Sequence, residues 1–421
     1  MKGLFLRLSF FKSRIFLALA HAVLMLLLSL MWMNSPLVYE DEYFLARILT
    51  VVKKIVFGAE TKPDPERFLF LNVAYNKQFI PKLGESEELL GDQVITDRKV
   101  LASMLGQIAE TKNKPLMVVM DVVLEDASSD DSLLLVNGRK LGDRLIVSAN
   151  ESDGQVLKPA VALPSAVASY TTLQEGLMGI TSDAFFKYQP ITPDGYKTIS
   201  LQMYEKLHGD SIYSGPLWNI QNNRPVFRSF IIDHPIRWYD LFLASQEQRY
   251  PILYANDFLL LPKELKDAFV ANRIIYIGDF EISDMHETIY GTTPGSLILA
   301  NQFLALEKGE QKIRPIWLMY LLCCFWLLSY QVFWNVNPLV NGISRMFNIK
   351  KIKHLASLNN FTRTLGAVTF ISITSYFVFG ISIGIFFVTV YLQIIKIIQR
   401  IYDWILKKID QIKQKKLLKV Q

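Results

Sequence analysis

The sequence predicts a mainly parallel α/β domain outside the cytoplasm, flanked by one membrane-spanning helix before it and three after it. Three observations carry this reading. Uncharged apolar runs stand near both ends of the 421-residue chain. Between them, strand-like apolar runs alternate with amphipathic helical stripes, the order of a sheet with helices on its faces. Basic residues gather beside the apolar runs, on the sides that a bilayer places in the cytoplasm. Composition agrees: 51% of residues are hydrophobic, 20% are charged and the mean hydropathy is +0.23. The net charge of +6 does not point to nucleic acid, because the basic residues act as topology signals and lipid head-group contacts.

The run Ile15–Met33 has no charge and is close to the roughly 20 residues a helix needs to cross a bilayer. Lys2, Arg7, Lys12 and Arg14 precede it, and Glu40, Asp41 and Glu42 follow. Residues 1–14 are therefore expected in the cytoplasm, 15–33 as the anchor and residue 34 onward outside. Ala20-His21-Ala22 has the form of a signal-peptide cleavage site, but most of the apolar run lies beyond it. A second span is expected over 315–334, with Trp317 and Trp334 at its interfaces. Arg345, Lys350, Lys351, Lys353 and Arg363 mark 335–364 as a cytoplasmic loop.

The apolar stretch 365–395 is too long for one span, because a helix at about 1.5 Å per residue would exceed the roughly 30 Å hydrocarbon core. Gly380 and Gly384 lie near its middle, and the tail 396–421 is strongly basic. A hairpin of two short spans returns that tail to the cytoplasm. Within the tail, Ile394, Ile398, Ile401, Ile405, Ile409 and Ile412 form a near-heptad stripe, which suits either a helical partner or an anionic lipid surface.

The middle region, 34–314, reads as one domain without repeats or low-complexity linkers. Arg67–Val73 reads as a strand. Asp97–Thr111 reads as a helix capped by Thr96 or Asp97, with Val100, Leu101, Met104, Leu105 and Ile108 on its apolar face. Pro115–Leu124 is a continuous apolar run, the mark of a strand covered on both faces. Leu145–Ser148 and Ile274–Gly278 repeat that signal. Asp194-Gly195 marks a turn. Pro294 and Gly309 bracket a closing helix. Cys323 and Cys324 both lie in the second span, so the outer domain contains no disulfide and a core of this size needs none.

These segments, in this order, resemble the second type of CHASE domain, the extracellular sensory module associated with bacterial cyclases and histidine kinases. Asn272-Arg273-Ile274-Ile275-Tyr276-Ile277-Gly278 is similar to the family's strand ending in Ile-Gly. Asp284 and Thr288 fit the acid and threonine of its following loop. Pro294-Gly295, Leu299-Ala300-Asn301 and Gly309 resemble its last helix. Asp97-Arg98, Leu101-Ala102, Val118-Val119-Met120-Asp121 and Asp194-Gly195 resemble features upstream. The resemblance covers roughly 39–309 and implies a bacterial inner-membrane sensor with its domain on the periplasmic or extracellular side. The sequence departs from the family at Pro235-Ile236-Arg237, where members often carry Pro-Arg. It also departs after the third span, where many members have a kinase or cyclase domain and 396–421 is too short for one.

Phosphate-loop, dinucleotide-binding, metalloprotease and nucleophile-elbow motifs are absent, so no enzyme activity and no cofactor are expected. The candidate ligand-binding residues are Asp121, Asp279, Asp284, His286 and Asn301. Asp279, Glu281, Asp284 and His286 follow one predicted strand, and Asp121, Glu125 and Asp126 follow another. Ligands in parallel sheets bind beyond the carboxyl ends of strands, so the two acidic loops together suit a cation or a small cationic or polyhydroxyl ligand. The competing reading is loop carboxylates that cap helices and face water, with Asn301 as a buried hydrogen-bonder. No metal can be assigned; a zinc site would draw on His208, His234 and His286. The chain then reads as a membrane sensor without its own output domain. Its partners would be the lipid bilayer, a cytoplasmic or membrane effector and, in one route of signalling, a second copy of itself. The alternative is an accessory subunit of an envelope complex, with an extracytoplasmic enzyme third.

Overall fold

The computed structural model describes residues 2–35, 40–57, 62–83, 88–152, 155–157, 159–168, 185, 187–242, 250–334, 360–381 and 383–417. The chain divides into two compact units. One carries the apolar helices of both ends, and the other carries Thr50–Lys312. This is the architecture of a multi-pass membrane protein with a large non-membrane domain.

In the apolar unit, helix α1 covers Lys2–Met33, and Ile15–Met33 is long and apolar enough to cross a bilayer. An amphipathic helix α2, Glu40–Phe57, follows, with its residues up to Leu49 in this unit and those from Thr50 in the other. It was not anticipated from sequence, because its apolar stripe is interrupted by charge. At the other end, Pro315–Trp334 forms one apolar helix, and Asn360–Phe379 and Ile385–Leu417 form two more that pack on each other. Pro315–Phe333 and Ile385–Ile409 have spanning length, while the apolar part of the helix between them, Thr364–Phe379, is shorter.

The stretch 365–395 is thus two helices. The break has an evident cause. Gly380 adopts φ +78°, and its N–H closes the preceding helix on the Tyr376 carbonyl at 2.8 Å. The hydroxyls of Ser375 and Ser372 then donate to the carbonyls of Ile381 and Ile383. Side chains so satisfy backbone groups that lipid could not.

In the other unit, β1 is Phe68–Asn72, and an antiparallel hairpin of β2, Lys77–Leu83, and β3, Leu89–Thr96, follows it. Helix α3, Arg98–Glu110, starts where the Asp97 carboxylate accepts from the N–H groups of Lys99 and Val100. This N-cap is the one expected from sequence. Next come β4, Met117–Asp121, helix α4, Asp131–Arg139, β5, Leu145–Ala149, and β6, Ser165–Val167. Helix α5, Ile199–His208, and the short α6, Tyr239–Phe242, lead to β7, Ile252–Tyr254. Helices α7, Ala255–Leu260, and α8, Lys263–Val270, precede β8, Ile274–Gly278. A small hairpin of β9, Met285–Thr288, and β10, Gly291–Pro294, leads into α9, Gly295–Lys308. Gly309 ends α9 in the left-handed region at φ +75°, which suits a residue without a Cβ. The later helices above are α10, α11 and α12.

The main sheet has six parallel strands in the order β7-β1-β8-β4-β5-β6. The central strands are buried throughout, which explains their unbroken apolar sequence. On one face Leu69, Leu71, Val118, Met120, Ile275 and Ile277 pack with Leu101, Met104, Leu105 and Ile108 of α3 and Phe258 of α7. On the other, Phe68, Phe70 and Tyr276 stack in a rank closed by Tyr250, and α5 and α9 cover it. The register aligns Asn72, Gly278 and Asp121 in one row at the carboxyl edge.

Val119 and Ile275 have no exposed surface. A carboxylate at either position would be buried without a partner, at a cost of several kcal/mol. Val119→Asp and Ile275→Asp are expected to prevent accumulation of folded protein, while Val136→Asp, on an exposed face of α4, leaves it unchanged. Protease resistance of all three variants equal to that of the wild type would contradict the central placement of β4 and β8.

Candidate functional site

A cleft of about 970 Å³ opens at the carboxyl edge of the sheet. Asp121 at the end of β4, Ser148 in β5 and Asp279 just beyond β8 reach it from the sheet. Gly295, Ile298 and Leu299 of α9 form one wall, and Lys77, Val94, Ile95 and Thr96 of the first hairpin form another. Asp126, Asp284 and His286 complete its ionisable lining. The two acidic loops picked out from sequence therefore meet in one cavity.

Close backbone approach builds this geometry. A Cβ on Gly278 would stand 1.9 Å from Ser296 Oγ, and one on Gly295 would stand 2.1 Å from an Asp284 carboxylate oxygen. The two glycines thus admit the first turn of α9 to the sheet edge. Ser296 Oγ donates to Asp121 Oδ2 at 3.0 Å. Gly295 N–H donates to the Asp284 carbonyl at 2.8 Å.

The carboxylates differ in environment. Burial drives the Asp121 proton affinity up, and the Asp284 charge adds to it. Hydrogen bonds from Ser296 and Ser148 and the charge of His286 offset part of this, leaving Asp121 at about 7. Asp284 pairs with His286, whose Nε2 lies 2.8 Å from Asp284 Oδ1. That hydrogen bond raises His286 above its ordinary value, against the opposing effect of burial. Burial also pushes Asp279 up, but the Ser283 hydroxyl and the N–H groups of Ile282, Glu281 and Ser283 outweigh it and hold the group at about 2. Asp279 thus spends its oxygens on its own loop, with Lys77 Nζ 3.5 Å away.

Asn301 is not brought to the cleft. It is fully buried on α9. Its Oδ1 accepts from Ile236 N–H at 3.0 Å, and its Nδ2 donates to the carbonyls of Ile236 and Leu297. It ties the segment at Ile236 to the helix, as a buried amide is expected to do. Glu125 accepts from Asn150 Nδ2 at 2.7 Å, and Glu281 accepts from Asn72, Tyr75 and Tyr254.

The three histidines of the domain have separate surroundings. His208 stacks on Tyr204 and lies 3.1 Å from Glu307. His234 is buried against Tyr290, and burial lowers it to about 4. Among the described residues no three His, Cys, Asp or Glu side chains gather closely enough to hold a metal ion.

Ser148, Ser296, Gly295 and Lys77 were not singled out from sequence as site residues. Ser296 had a legible signal, a hydroxyl in the first turn after Pro294-Gly295, where it reaches whatever lies beyond the adjacent strand. Ser148 and Lys77 had none, since their roles depend on strand order. In comparisons with protein-family models, curated proteins and solved structures, nothing matches this chain.

The site predicts a pH dependence. Folding raises the Asp121 pKa, so its contribution to stability is complete below the unfolded value of about 4 and is lost as pH rises through about 7. The raised His286 acts in the same direction. Asp279 acts oppositely: its contribution is present above about 4 and is lost as pH falls towards about 2. His234, lowered to about 4, opposes Asp121 and His286 up to its unfolded value of about 6.5, so urea unfolding of the purified chain should show stability falling chiefly between about pH 6.5 and about pH 8. Asp121→Asn should flatten that fall and be the more stable protein at the alkaline end. Parallel pH profiles for the two proteins would contradict the burial of an ionisable Asp121.

Proposed function

We propose that this chain is a membrane-bound sensor of the kind its resemblance to the second type of CHASE domain implies. In this reading the domain lies on the periplasmic or extracellular side of the bacterial inner membrane and takes a small ligand at the carboxyl edge of its sheet. The observation that carries the reading is the cleft, with a raised Asp121 and the Asp284–His286 pair facing one space. Parallel sheets bind ligands at this edge, and groups held away from their ordinary protonation gather at functional sites more often than elsewhere. The groups suit a small cationic or polyhydroxyl molecule: Asp121 and Asp284 accept hydrogen bonds, Ser148 gives or takes one, and the apolar wall of α9 packs against carbon. The domain performs no chemistry of its own, and the signal leaves through a cytoplasmic or membrane effector.

Helix α12 supports the choice of a protein partner. It runs unbroken from Ile385 to Leu417, without a glycine or proline at which a tail could turn onto the lipid surface. Ile398, Ile401, Ile405, Ile409 and Ile412 stand exposed along it; lipid would cover those within the spanning stretch Ile385–Ile409, and a second helix, from an effector or a second copy, would cover the stripe beyond it. One observation favours the accessory-subunit reading: the first hairpin exposes Phe79, Leu89, Leu90 and Val94, an apolar strip suited to a protein surface.

Calorimetry on the detergent-solubilised full chain, titrated with diamines, amino sugars, polyols and divalent cations, separates the two. The expected result is a saturable heat for one class, lost in Asp284→Asn and His286→Ala while each variant's melting temperature stays near that of the wild type. Silence towards every class, together with a stoichiometric co-purifying protein, would transfer the reading to an accessory subunit. Reporter fusions after Gly309 and Gln421 test the topology. The first is expected to report the outside and the second the cytoplasm, and a cytoplasmic signal at Gly309 would remove the outer placement of the domain.

A further inference from the structure

One carboxylate in the cleft has no cation of the domain beside it. Among the described residues Asp121, Asp126, Asp279 and Asp284 line the space, and Lys77 and His286 are the bases that face them. Both bases are engaged. Lys77 Nζ lies 3.5 Å from Asp279, and His286 Nε2 lies 2.8 Å from Asp284. Asp126 stands in the field of the buried Arg98 guanidinium, which lies 3.7 Å from Asp131. Asp121, at the end of β4, makes no ion pair among the described residues. Its donors are neutral hydroxyls, Ser296 of α9 at 3.0 Å and Ser148 of β5.

A carboxylate removed from water keeps a proton or meets a cation. In the free protein the proton is the partner, because burial and the Asp284 charge raise the Asp121 proton affinity. The geometry shows where a cation could replace it. Asp284 lies against Gly295, and Asp121 accepts from Ser296. These are consecutive residues at the start of α9, so one positive charge there faces both carboxylates. The kind of cation follows from the acceptors. Among the described residues no three His, Cys, Asp or Glu side chains gather closely enough for a metal ion. A guanidinium fork asks for a carboxylate with both oxygens open, whereas serine hydroxyls already donate to Asp121 and His286 lies on Asp284. A quaternary ammonium asks for a cage of aromatic faces, and Phe185 is the one phenyl ring among the described lining residues. A primary ammonium needs only acceptors for three N–H bonds, which the remaining lone pairs of Asp121, Asp284 and Ser148 provide. Ile95, Phe185, Ile298 and Leu299 give its carbon body apolar walls.

We propose that the cleft binds a primary amine with an apolar body, and that binding displaces the proton of Asp121. The inference rests on the reading of the cleft as a ligand site. The amine arrives as an ammonium, Asp121 becomes a carboxylate beside it, and one proton leaves to water for each amine bound. The ammonium also disfavours the charged form of His286, which releases protons in the same direction. Asp279, held by its own loop and by Lys77, stays ionised throughout. Affinity therefore rises with pH and levels off once Asp121 ionises unaided. The domain responds to two quantities together, the amine and the pH on its own side of the membrane.

The test is calorimetry on the detergent-solubilised full chain, with 2-phenylethylamine as probe and 2-phenylethanol as its uncharged counterpart. Titrations at about pH 5, 6 and 8, each in two buffers of different ionisation heat, count the protons released. The expected result is about one proton per amine at pH 6, far less at pH 8, and an affinity about tenfold higher at pH 6 than at pH 5. 2-Phenylethanol should bind more weakly and release none. Asp121→Asn cannot ionise. It should lose most of the proton release and bind the amine about tenfold more weakly at pH 8. Its melting temperature at pH 5, where the wild-type carboxyl is neutral as well, should equal that of the wild type. Amine binding without proton release, or release undiminished in Asp121→Asn, would overturn the inference and leave the cleft as a ligand site. Tighter binding of 2-phenylethanol than of the amine would do the same. Silence towards both probes would also overturn it, while the reading beneath it falls only if diamines, amino sugars, polyols and divalent cations are silent too.

Discussion

A methyl group on Gly278, the last residue of β8, would stand 1.9 Å from Ser296 Oγ. No rearrangement of a rotamer alone relieves such a contact, because the Ser296 Cβ would itself be 3.0 Å away. The bare Gly278 backbone is what lets the first turn of α9 reach the sheet edge, and the rest of the cleft follows. Ser296 meets Asp121 across β8, Asp284 lies against Gly295, and the β9–β10 hairpin is positioned to hold His286 on Asp284. The same approach places two carboxylates near the amino end of a helix, where the backbone N–H groups favour negative charge.

Several carboxylates in one partly enclosed space repel each other, and the fold relieves the repulsion differently at each. Asp121 holds its proton to higher pH. Asp284 is matched by an imidazole. Asp279 is saturated by hydrogen bonds from its own loop and takes Lys77 as a distant ion partner. Only the first two therefore retain capacity for a ligand. Asp279 has the look of a site residue in sequence, but its free energy is already committed to shaping the loop that carries Asp284. The Tyr75, Tyr254 and Asn72 bonds to Glu281 do the same for the other side of that loop.

Much of the scaffold was legible because its signals are local. Continuous apolar runs gave β4, β5 and β8, the Asp97 cap gave the start of α3, and Gly309 gave the end of α9. The convergence of the Asp121 and Asp284 loops could be argued from the rule that parallel strands place their carboxyl ends on one side. Which strands are neighbours could not. The order β7-β1-β8-β4-β5-β6 inserts the late β8 between β1 and β4, and no local pattern encodes that crossover. For the same reason the roles of Ser148 and Lys77 were hidden, and Asn301 looked equally suited to a ligand and to the buried tie it makes. The helix α2 was missed on different grounds. Its Lys53-Lys54 pair and its acidic start obscure a stripe that buries Ala46, Leu49 and Thr50.

The apolar unit shows how polar groups are held in low-dielectric surroundings. Where the chain breaks between α11 and α12, backbone groups released by Gly380 would be costly in lipid. Ser372 and Ser375 are placed to satisfy them, and their hydroxyls are consumed in doing so. Trp317 donates to Ser375 and Tyr320 donates to the Ile371 carbonyl, so α10 and α11 are joined by bonds that exclude slippage. His21, Ser329 and Tyr391 make the corresponding tie among α1, α10 and α12. In each of these ties a polar side chain offsets the cost of its own burial by pairing within the protein.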